Sequence, residues 1–356
     1  MNRRNFLNAL GMGATGLLLP DFLYAGIRQQ ATSNPLIKPI SGSWFEFQHL
    51  LPTESEYWDK DLAAFTTDQW KEKVYEIREA GLEYLVLMSI AAFDQAFYDT
   101  SLAPKFPLAC EDPLEAILTA ADEVGIKFFI SNDFWGDGRM AEMMMQDKGI
   151  RYKRAKSMEE IFSRYGHHKS FYGWYFPNEA WLHPYFDDYF VDYVNDCAQL
   201  AKSFNANCVN LIAPYNIKAE KSDSGYIKQL ERMNIEIIAY QDGVGVNSTR
   251  LGEPARYFEN LHRAHEKAAR SRIWADMELF YFERGTHGNL MPADFETRII
   301  KQMADISPFV DKILVYQYIG IMNKPGSKAH AGLRDETVRL YNQYMDWYNQ
   351  QNFNRG

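Results

Sequence analysis

The chain has 356 residues, a length typical of a one-domain α/β barrel with its connecting loops. Hydrophobic residues make up 46% and charged residues 24%, which provides enough apolar material for a large globular core. The formal net charge is -9 and the Lys and Arg residues are scattered, so the composition excludes nucleic-acid binding, which requires a basic stripe. Aromatic residues reach 15%, and such rings can stack on the apolar faces of neutral sugars.

Residues 1–26 have the features of an export signal. Arg3 and Arg4 precede Phe6-Leu7 and a short apolar stretch rich in Gly and Ala, a pattern that resembles a twin-arginine signal. The apolar stretch is too short for a comfortable bilayer span, so we expect no stable membrane span after signal removal; an uncleaved anchor is the alternative. We therefore expect a periplasmic or extracellular protein, with residues 27–39 as a linker to one domain at 40–356.

From residue 40 onward, eight short β-rich apolar runs alternate with helix-like stretches. This alternation predicts an α/β fold, a closed parallel (β/α)₈ TIM barrel that forms a single domain. A doubly wound open sheet is the alternative, but its usual Gly-rich first turn, GxGxxG, does not occur from residue 40 onward, where the strands are expected. The strands are expected at residues 40–48, 84–88, 127–131, 171–176, 208–212, 235–241, 272–279 and 312–318.

Capping residues mark the expected helix starts. Asp112 followed by Pro113 is typical of a cap and a first helical residue. Ser157, with Glu160 three residues later, has capping-box spacing and is expected to open the helix before the fourth strand. Other helices are expected at 67–80, 185–204, 223–233, 254–271, 293–306 and 332–350.

The three cysteines, Cys110, Cys197 and Cys208, form no CxxC pair, which argues against a zinc knuckle or a thioredoxin-like redox site. Their odd number argues against a full disulfide framework. We expect buried thiols, with a Cys197–Cys208 disulfide as the alternative. The sequence predicts no cofactor and no bound metal.

The active site of a (β/α)₈ barrel lies at the C-terminal ends of its strands. Polar residues concentrate there, since Asn178-Glu179 follow the fourth strand and Glu278 ends the seventh. Glycoside hydrolysis commonly requires two carboxyl groups, one to donate a proton and one to attack the sugar or activate water. We therefore expect Glu179 and Glu278 to be catalytic and a carbohydrate to be the substrate. Further substrate-binding residues are expected after other strands: Asp133, Trp135, Trp181, Tyr240, Asp242 and Tyr318.

Strand alternation places one more acid in the predicted site. Alternate residues of a strand face the same side, so Asp276 and Trp274 face the barrel axis if Glu278 does. Asp276 then lies one layer deeper than Glu278. It is expected either as a buried carboxylate held by hydrogen bonds or as a further substrate-binding acid.

These placements resemble the large glycosidase superfamily that carries its two catalytic glutamates on strands four and seven. The resemblance implies a retaining reaction in which Glu179 is the acid/base, Asn178 contacts the sugar 2-hydroxyl and Glu278 is the nucleophile. More narrowly, residues 171–179, which read FYGWYFPNE, resemble domain-of-unknown-function family 4434, and this resemblance spans nearly the whole chain after the signal. Tyr240 is the candidate for the tyrosine that the superfamily places near its nucleophile.

Two other functions fit the same residues. A non-catalytic saccharide-binding barrel would bind sugars without turnover. A metal-assisted lyase or isomerase would use Asp276, Glu278 and His287 as oxygen and imidazole ligands. His167-His168 precede the fourth strand and are expected on the far side of the barrel from the site, with no predicted role.

Overall fold

The computed structural model describes residues 36–137, 140–351 and 353. The predicted twin-arginine segment and residues 27–35 of the predicted linker lie outside these ranges. Within them, no helix combines the length and the apolar character that a membrane crossing needs.

Eight parallel strands close into one barrel, in which strands adjacent in sequence are adjacent in space and the eighth pairs with the first. This arrangement confirms the predicted (β/α)₈ fold. Closure satisfies the backbone groups of every strand without leaving a sheet edge. The strands are β1 Ile40–Phe45, β2 Tyr84–Leu87, β3 Lys127–Ser131, β4 Phe171–Tyr175, β5 Val209–Ile212, β6 Ile237–Gln241, β7 Arg272–Glu278 and β8 Ile313–Tyr316.

Helices surround the barrel and connect its strands. Asp112 caps the third helix by accepting from the backbone N–H of Glu115, with Pro113 as the first helical residue, as predicted. Two short hairpins, Ala91–Ala92 with Gln95–Ala96 and Phe280–Phe282 with Leu290–Pro292, follow β2 and β7. The helices are α1 Asp59–Ala64, α2 Thr67–Glu79, α3 Pro113–Val124, α4 Ala141–Gln146, α5 Lys148–Tyr165, α6 Asp188–Phe204, α7 Ser224–Arg232, α8 Pro254–Ala268, α9 Ile300–Ile306 and α10 Arg334–Gln350.

The structure corrects one local prediction and confirms another. Ser157 does not open a helix, because α5 already begins at Lys148, where the Asp147 side chain accepts from the backbone N–H groups of Gly149 and Ile150. The Ser157 hydroxyl instead donates to a carbonyl one turn earlier inside α5. The prediction of buried thiols is confirmed, since all three cysteines are buried and free, and the alternative Cys197–Cys208 disulfide does not form.

Apolar side chains fill two separate layers, one inside the barrel and one between the strands and the helices. Along β7, Trp274 packs inside the barrel, against Tyr84 at a ring distance of 4.9 Å, whereas Ala275 and Met277 pack outside. Because side chains alternate along a strand, Asp276 and Glu278 face the barrel interior with Trp274. Asp276 and Glu278 therefore both project from the inner face of β7, with Glu278 nearer its C-terminal end.

Candidate active site

Glu179 lies just beyond the C-terminal end of β4. The last pairing of this strand is the hydrogen bond from the Phe176 N–H to the Leu211 carbonyl, and Pro177, which has no N–H, ends the ladder. The chain then turns, and the Glu179 carboxyl accepts a 2.8 Å hydrogen bond at Oε1 from the Gln241 side chain at the end of β6. Burial raises the pKa of Glu179 to about 7, although the Gln241 hydrogen bond opposes that rise. A carboxyl with this pKa can carry a proton near neutral pH.

Glu278 is the last residue of β7 and pairs in register with Tyr316 of β8. Its side chain is buried, and Oε2 accepts from the backbone N–H of Val246 at 2.9 Å. Gly245 packs directly against this carboxyl, because a Cβ atom there would lie 2.9 Å from Oε2 and 2.6 Å from the Phe280 carbonyl oxygen. The loop after β6 can therefore donate to Glu278 only with a glycine at position 245.

Burial also raises the pKa of Glu278, and the neighbouring Asp242 carboxyl raises it further. The Val246 N–H and the Arg298 guanidinium act in the opposite direction, because both favour a charged carboxylate. Glu179 and Glu278 therefore share one property, a preference for the protonated form in the free protein. Their pKa values alone do not assign the acid and the nucleophile between them.

Asp242 lies behind Glu278 and is completely buried. Its Oδ1 accepts from the backbone N–H groups of Val244 and Glu278, and its Oδ2 accepts from the Gln302 side chain at 2.6 Å. Arg298 donates to the backbone carbonyls of Glu278 and Phe280 from the same side. The sequence predicts that Asp242 binds substrate, but both of its carboxyl oxygens accept hydrogen bonds from the protein. Asp242 is therefore a positioning residue that holds the end of β7 in place.

A second positioning network supports Asn178. The Asn178 side chain donates to Asp133 Oδ2 at 2.8 Å, and Arg154 of α5 donates to the same oxygen. The other oxygen of Asp133 accepts from the backbone N–H groups of Phe134 and Trp135. Asp133, predicted to bind substrate, is thus fully buried beneath Asn178, where Arg154 balances its charge and where it orients the residue before Glu179.

Asp276 connects the two predicted catalytic acids electrostatically. It lies on the inner face of β7, and its Oδ1 has no hydrogen-bond partner among the described residues. Burial raises its pKa well above the usual range, and the charges of Glu278, Glu179 and Asp242 add to the effect. Gln241, which pairs in register with Asp276, also donates to Glu179, so Glu179 lies at the same end of the barrel interior as Asp276 and Glu278. The prediction that Asp276 lies one layer below Glu278 agrees with this register.

A charged cluster that sequence reasoning missed lies on the β1 side of the cavity. The His49 ring stands between Glu46, at 2.9 Å from Nδ1, and Glu54, at 3.3 Å from Nε2. Burial alone would lower the pKa of His49, but these two carboxylates raise it to about 10, so the ring is an imidazolium. Glu46 also accepts from the side chains of Trp58 and Gln317.

Tyr316 lies between this cluster and the acids. Burial raises its pKa well above the usual range, and the charges of Glu46, Glu54, Glu179 and Asp276 act in the same direction. Its hydroxyl is 3.4 Å from His49 Nδ1, and its ring packs edge-on against Phe280. Tyr316 is therefore a cavity residue, although Tyr318 was the strand-eight residue predicted for this role.

Exposed rings stand on the loops that follow the barrel strands. Trp181, predicted to bind substrate, is 54% exposed on the loop after β4 and stacks on His183 at a ring distance of 5.0 Å. Tyr215 follows β5 and is 38% exposed, and burial together with the charge of Glu179 raises its pKa, which puts it close to that acid. Tyr281, 44% exposed, stands on the hairpin after β7. These loops present apolar ring faces at the end of the barrel that holds the acids.

Three other aromatic predictions are corrected. Tyr240 and Tyr318 pack in the layer between the strands and the helices, where the Tyr240 hydroxyl bonds to Tyr226 and His265 and the Tyr318 hydroxyl donates to Glu76. Trp135 is also buried and uses its ring N–H on the Ser157 hydroxyl. None of these three side chains is placed to contact a substrate in the cavity.

The metal-ligand set considered from the sequence is also separated. His287 lies on the hairpin after β7, but its Nδ1 is 2.8 Å from Glu54 and its side chain is largely exposed. It therefore joins the hairpin to the loop after β1. Asn289 of the same hairpin reinforces this join by bonding the backbone and side chain of Glu56. Asp276 and Glu278, in contrast, lie on the inner face of β7.

Comparisons with known proteins agree with this architecture. The sequence model of the family described as Domain of unknown function (DUF4434) matches residues 40–329. No curated protein matches the chain by sequence. A provisionally assigned alpha-L-fucosidase from Bacteroides thetaiotaomicron is structurally similar, with a TM-score of 0.68, 15% identity and coverage of 93% of this chain and 99% of that one.

Two mannanases share the barrel as well. The endo-beta-1,4-mannanase from Thermotoga petrophila has a TM-score of 0.57 and 10% identity, covering 91% of this chain and 78% of that one. The endo-1,4-beta-mannanase from Rhizomucor miehei has a TM-score of 0.52 and 9% identity, covering 88% and 95% respectively. At these identities the similarity establishes the fold, a glycosidase-like barrel, and not the activity.

Proposed function

The chain belongs to the family described as Domain of unknown function (DUF4434), and we propose that it is a retaining glycoside hydrolase with Glu179 and Glu278 as its catalytic pair. One observation carries the proposal: buried Glu278 at the end of β7 and part-buried Glu179 beyond β4 lie at the same barrel end, where Gln241, the register partner of Asp276, donates to Glu179. Such a pair, with one acid whose pKa is raised to about 7, has the chemistry that glycoside hydrolysis needs.

In the proposed reaction, protonated Glu179 donates its proton to the glycosidic oxygen as the bond to the anomeric carbon breaks. Ionised Glu278 attacks that carbon and forms a glycosyl ester. Glu179, now ionised, then removes a proton from water, which attacks the anomeric carbon and releases Glu278. Two displacements give retention of configuration, and both glutamates return to their starting protonation states.

A neutral carbohydrate suits this cavity. Glu179, Asp276 and Glu278 line it, and the proposed reaction ionises Glu278, so an anionic sugar would place a second negative charge beside Glu278 at a high electrostatic cost in a buried site. The exposed rings of Trp181 and Tyr281 offer stacking faces for further sugar units. The similar solved structures include mannanases and also enzymes named for uronic acids, so the neutral substrate class rests on the charge of the site.

Two alanine variants test the catalytic assignment. Wild type is first screened on dinitrophenyl glycosides of neutral sugars, and Glu278→Ala and Glu179→Ala are then compared on the best substrate. We expect Glu278→Ala to lose at least about 1000-fold in kcat, while Glu179→Ala keeps much of its activity because dinitrophenolate leaves without protonation. Tyr318→Phe, placed outside the cavity, is the matched control. Full activity in both alanine variants would end the proposal.

Azide rescue separates the two roles. Azide that replaces the missing carboxylate of Glu278→Ala attacks the sugar directly and gives a glycosyl azide of inverted configuration. In Glu179→Ala it attacks the glycosyl ester and gives a product of retained configuration. If Glu179→Ala instead gave the inverted azide and Glu278→Ala the retained one, Glu179 would be the nucleophile and Glu278 the acid/base.

A non-catalytic saccharide-binding role is the second candidate, and one observation favours it. The pKa of Glu278 is raised in the free protein, and a protonated Glu278 can bind a hydroxyl but cannot attack. This role predicts saccharide binding by calorimetry that survives Glu278→Gln, with no turnover of any glycoside by wild type. Turnover by wild type that is lost in Glu278→Gln would show that the protein is an enzyme and not only a saccharide-binding protein.

We also propose that the protein acts outside the cytoplasm, because residues 1–26 resemble a twin-arginine signal. Fractionation of cells that carry the wild type and the Arg3→Lys/Arg4→Lys double variant tests this. Export of wild type and cytoplasmic retention of the variant are expected, whereas equal distribution of the two would refute the signal.

A further inference from the structure

Two adjacent histidines lie far along the chain from the catalytic acids, in the connection from α5 to β4. His167 and His168 precede the N-terminal end of β4, whereas Glu179 follows its C-terminal end. Their rings are 4.2 Å apart and tilted by 35°, and α3 packs beside them. The proposed glycosidase reaction gives these residues no task.

The hydrogen bonds of the two rings favour one tautomer. His168 Nδ1 is 2.8 Å from Asp122 Oδ2, and His167 Nδ1 is 3.0 Å from the carbonyl oxygen of Arg164. A carbonyl oxygen and a carboxylate only accept, so Nδ1 carries the proton in each ring. In a neutral imidazole this leaves the lone pair on Nε2, the atom through which such a ring can bind a metal ion.

A third ligand comes from α3. Glu115 places its Oε2 3.2 Å from His168 Nε2, and one ligand atom each from Glu115, His167 and His168 lies within 4.8 Å of the others. Two imidazoles and one carboxylate are a known ligand set for zinc, with bonds of about 2.0–2.2 Å. Glu115 and His167 are exposed, so their side chains can rotate to close the remaining distance.

Asp122 supplies the feature that distinguishes a metal site from a chance cluster. It lies seven residues after Glu115 on the same face of α3, and it holds the Nδ1–H of His168 while also accepting from the Ser170 backbone N–H. A carboxylate behind a ligand histidine fixes the ring and strengthens it as a donor. Glu115 and His167 are both exposed, which gives an ion access from solvent.

We propose that Glu115, His167 and His168 bind a Zn²⁺ ion, with Asp122 as the outer carboxylate and water at the fourth position. The ion would join α3 to the segment that enters β4 and would act on stability, since it lies at the opposite end of β4 from the acids. Imidazole donors favour zinc over Mg²⁺, which prefers oxygen ligands.

The competing explanation is an ion pair without metal. A protonated His168 could bridge Glu115 and Asp122, as the 3.2 and 2.8 Å distances allow. That arrangement gives His167 no role and stacks its ring against a cation. It predicts no zinc binding above the level of any surface histidine, which makes the two explanations separable.

Calorimetric titration of ZnCl₂ into the full chain, stripped with a chelator and dialysed, tests the site. We expect one equivalent bound by wild type, an affinity at least about 10-fold weaker in His167→Ala, and a loss of about 10–100-fold in Asp122→Asn. His262→Ala, a surface histidine on α8, and Glu278→Gln, in the barrel cavity, should bind like wild type, and MgCl₂ should give no heat of binding.

Stability provides the second readout. His167 is exposed, so His167→Ala should fold with an unchanged melting temperature without metal, and ZnCl₂ should raise the melting temperature of wild type but not of this variant. Absence of zinc binding in wild type, or equal binding in wild type and His167→Ala, would overturn the proposal.

Discussion

Substitution of Glu179 by glutamine should stabilise the protein in a pH-dependent way. Burial raises the pKa of this carboxyl from 4.5 to about 7, so the folded protein holds a proton that the unfolded chain releases. Glutamine has nearly the same shape and keeps an oxygen to accept from Gln241, as Glu179 Oε1 does at 2.8 Å. The variant therefore removes the cost of ionising a buried acid while it preserves the contact.

The size and sign of the effect follow from the pKa difference. Each pH unit between the folded and unfolded pKa is worth about 1.36 kcal/mol, so the rise from 4.5 to about 7 gives a maximum cost on the order of 3 kcal/mol. Below pH 4.5 both states are protonated and the cost vanishes. It grows as pH rises from 4.5, because the unfolded chain ionises first, and it is complete above pH 7.

Thermal unfolding of wild type and Glu179→Gln at pH 4 and pH 8 measures this. We expect equal midpoints at pH 4 and a midpoint about 5 °C higher for the variant at pH 8. Glu220→Gln is a matched control, because burial also raises the pKa of Glu220 to about 7 and its charge acts on Tyr226 and Tyr240, which pack outside the barrel. It should gain similar stability at pH 8 while its glycosidase activity stays at the wild-type level.

Two results would refute the reasoning. A midpoint difference of equal size at pH 4 and pH 8 would show that glutamine acts through packing or hydrogen bonding, not through charge. No difference at pH 8 would show that Glu179 ionises without cost, in which case it is not poised as an acid.

Three further predictions follow from the site. The kcat/KM of wild type should have a bell-shaped pH profile, which rises as Glu278 ionises and falls as the protonated Glu179 is lost, and Glu179→Ala assayed on a dinitrophenyl glycoside should lack the fall. Gly245→Ala should lower kcat about 100-fold, since its Cβ would press on Glu278 Oε2 at 2.9 Å, and a wild-type kcat would contradict the described loop. Tyr318→Phe should lower the unfolding free energy measured in urea by about 2 kcal/mol, because the hydrogen bond to Glu76 is lost. Its kcat should be unchanged, and a reduced kcat would show that Tyr318 contributes to the active site.

The fold and the inner face of β7 could be predicted from sequence because both depend on local periodicity. Eight alternations of strand and helix leave few architectures other than a barrel. Along β7 the two-residue period fixes the inward direction of Asp276 once Glu278 is placed at the strand end.

The same logic failed where periodicity carries no information. β6 is buried on both faces, so its sequence does not show which side Tyr240 takes, and the structure turns Tyr240 outward and Gln241 inward. β8 ends at Tyr316, so the alternation that would have placed Tyr318 no longer holds beyond it. Tyr318 instead donates its backbone N–H to the Ser43 hydroxyl and sends its ring to the helices.

The cluster around His49 could not be predicted for a different reason. Its members come from the loop after β1, from β8 and from the hairpin after β7, and no fixed spacing links them in sequence. Only barrel closure, which makes β8 the neighbour of β1, brings Gln317 to within 2.7 Å of Glu46. A histidine three residues after Glu46 was the one local signal, since that spacing lets a ring fold back on a carboxylate.

The acids at the C-terminal end of the barrel fall into two groups, those paired with a cation and those that accept hydrogen bonds from neutral groups. Asp133 is paired with Arg154 and Glu46 with the His49 imidazolium, so a cation holds each of these carboxyl groups in a structural position. Glu179 instead accepts its hydrogen bond from the amide of Gln241. An amide orients a carboxyl without neutralising it, so the proton can still come and go, whereas a cation in its place would lower the pKa and remove the acid. The neutral partner of Glu179 is therefore as much a part of the proposed chemistry as the carboxyl itself.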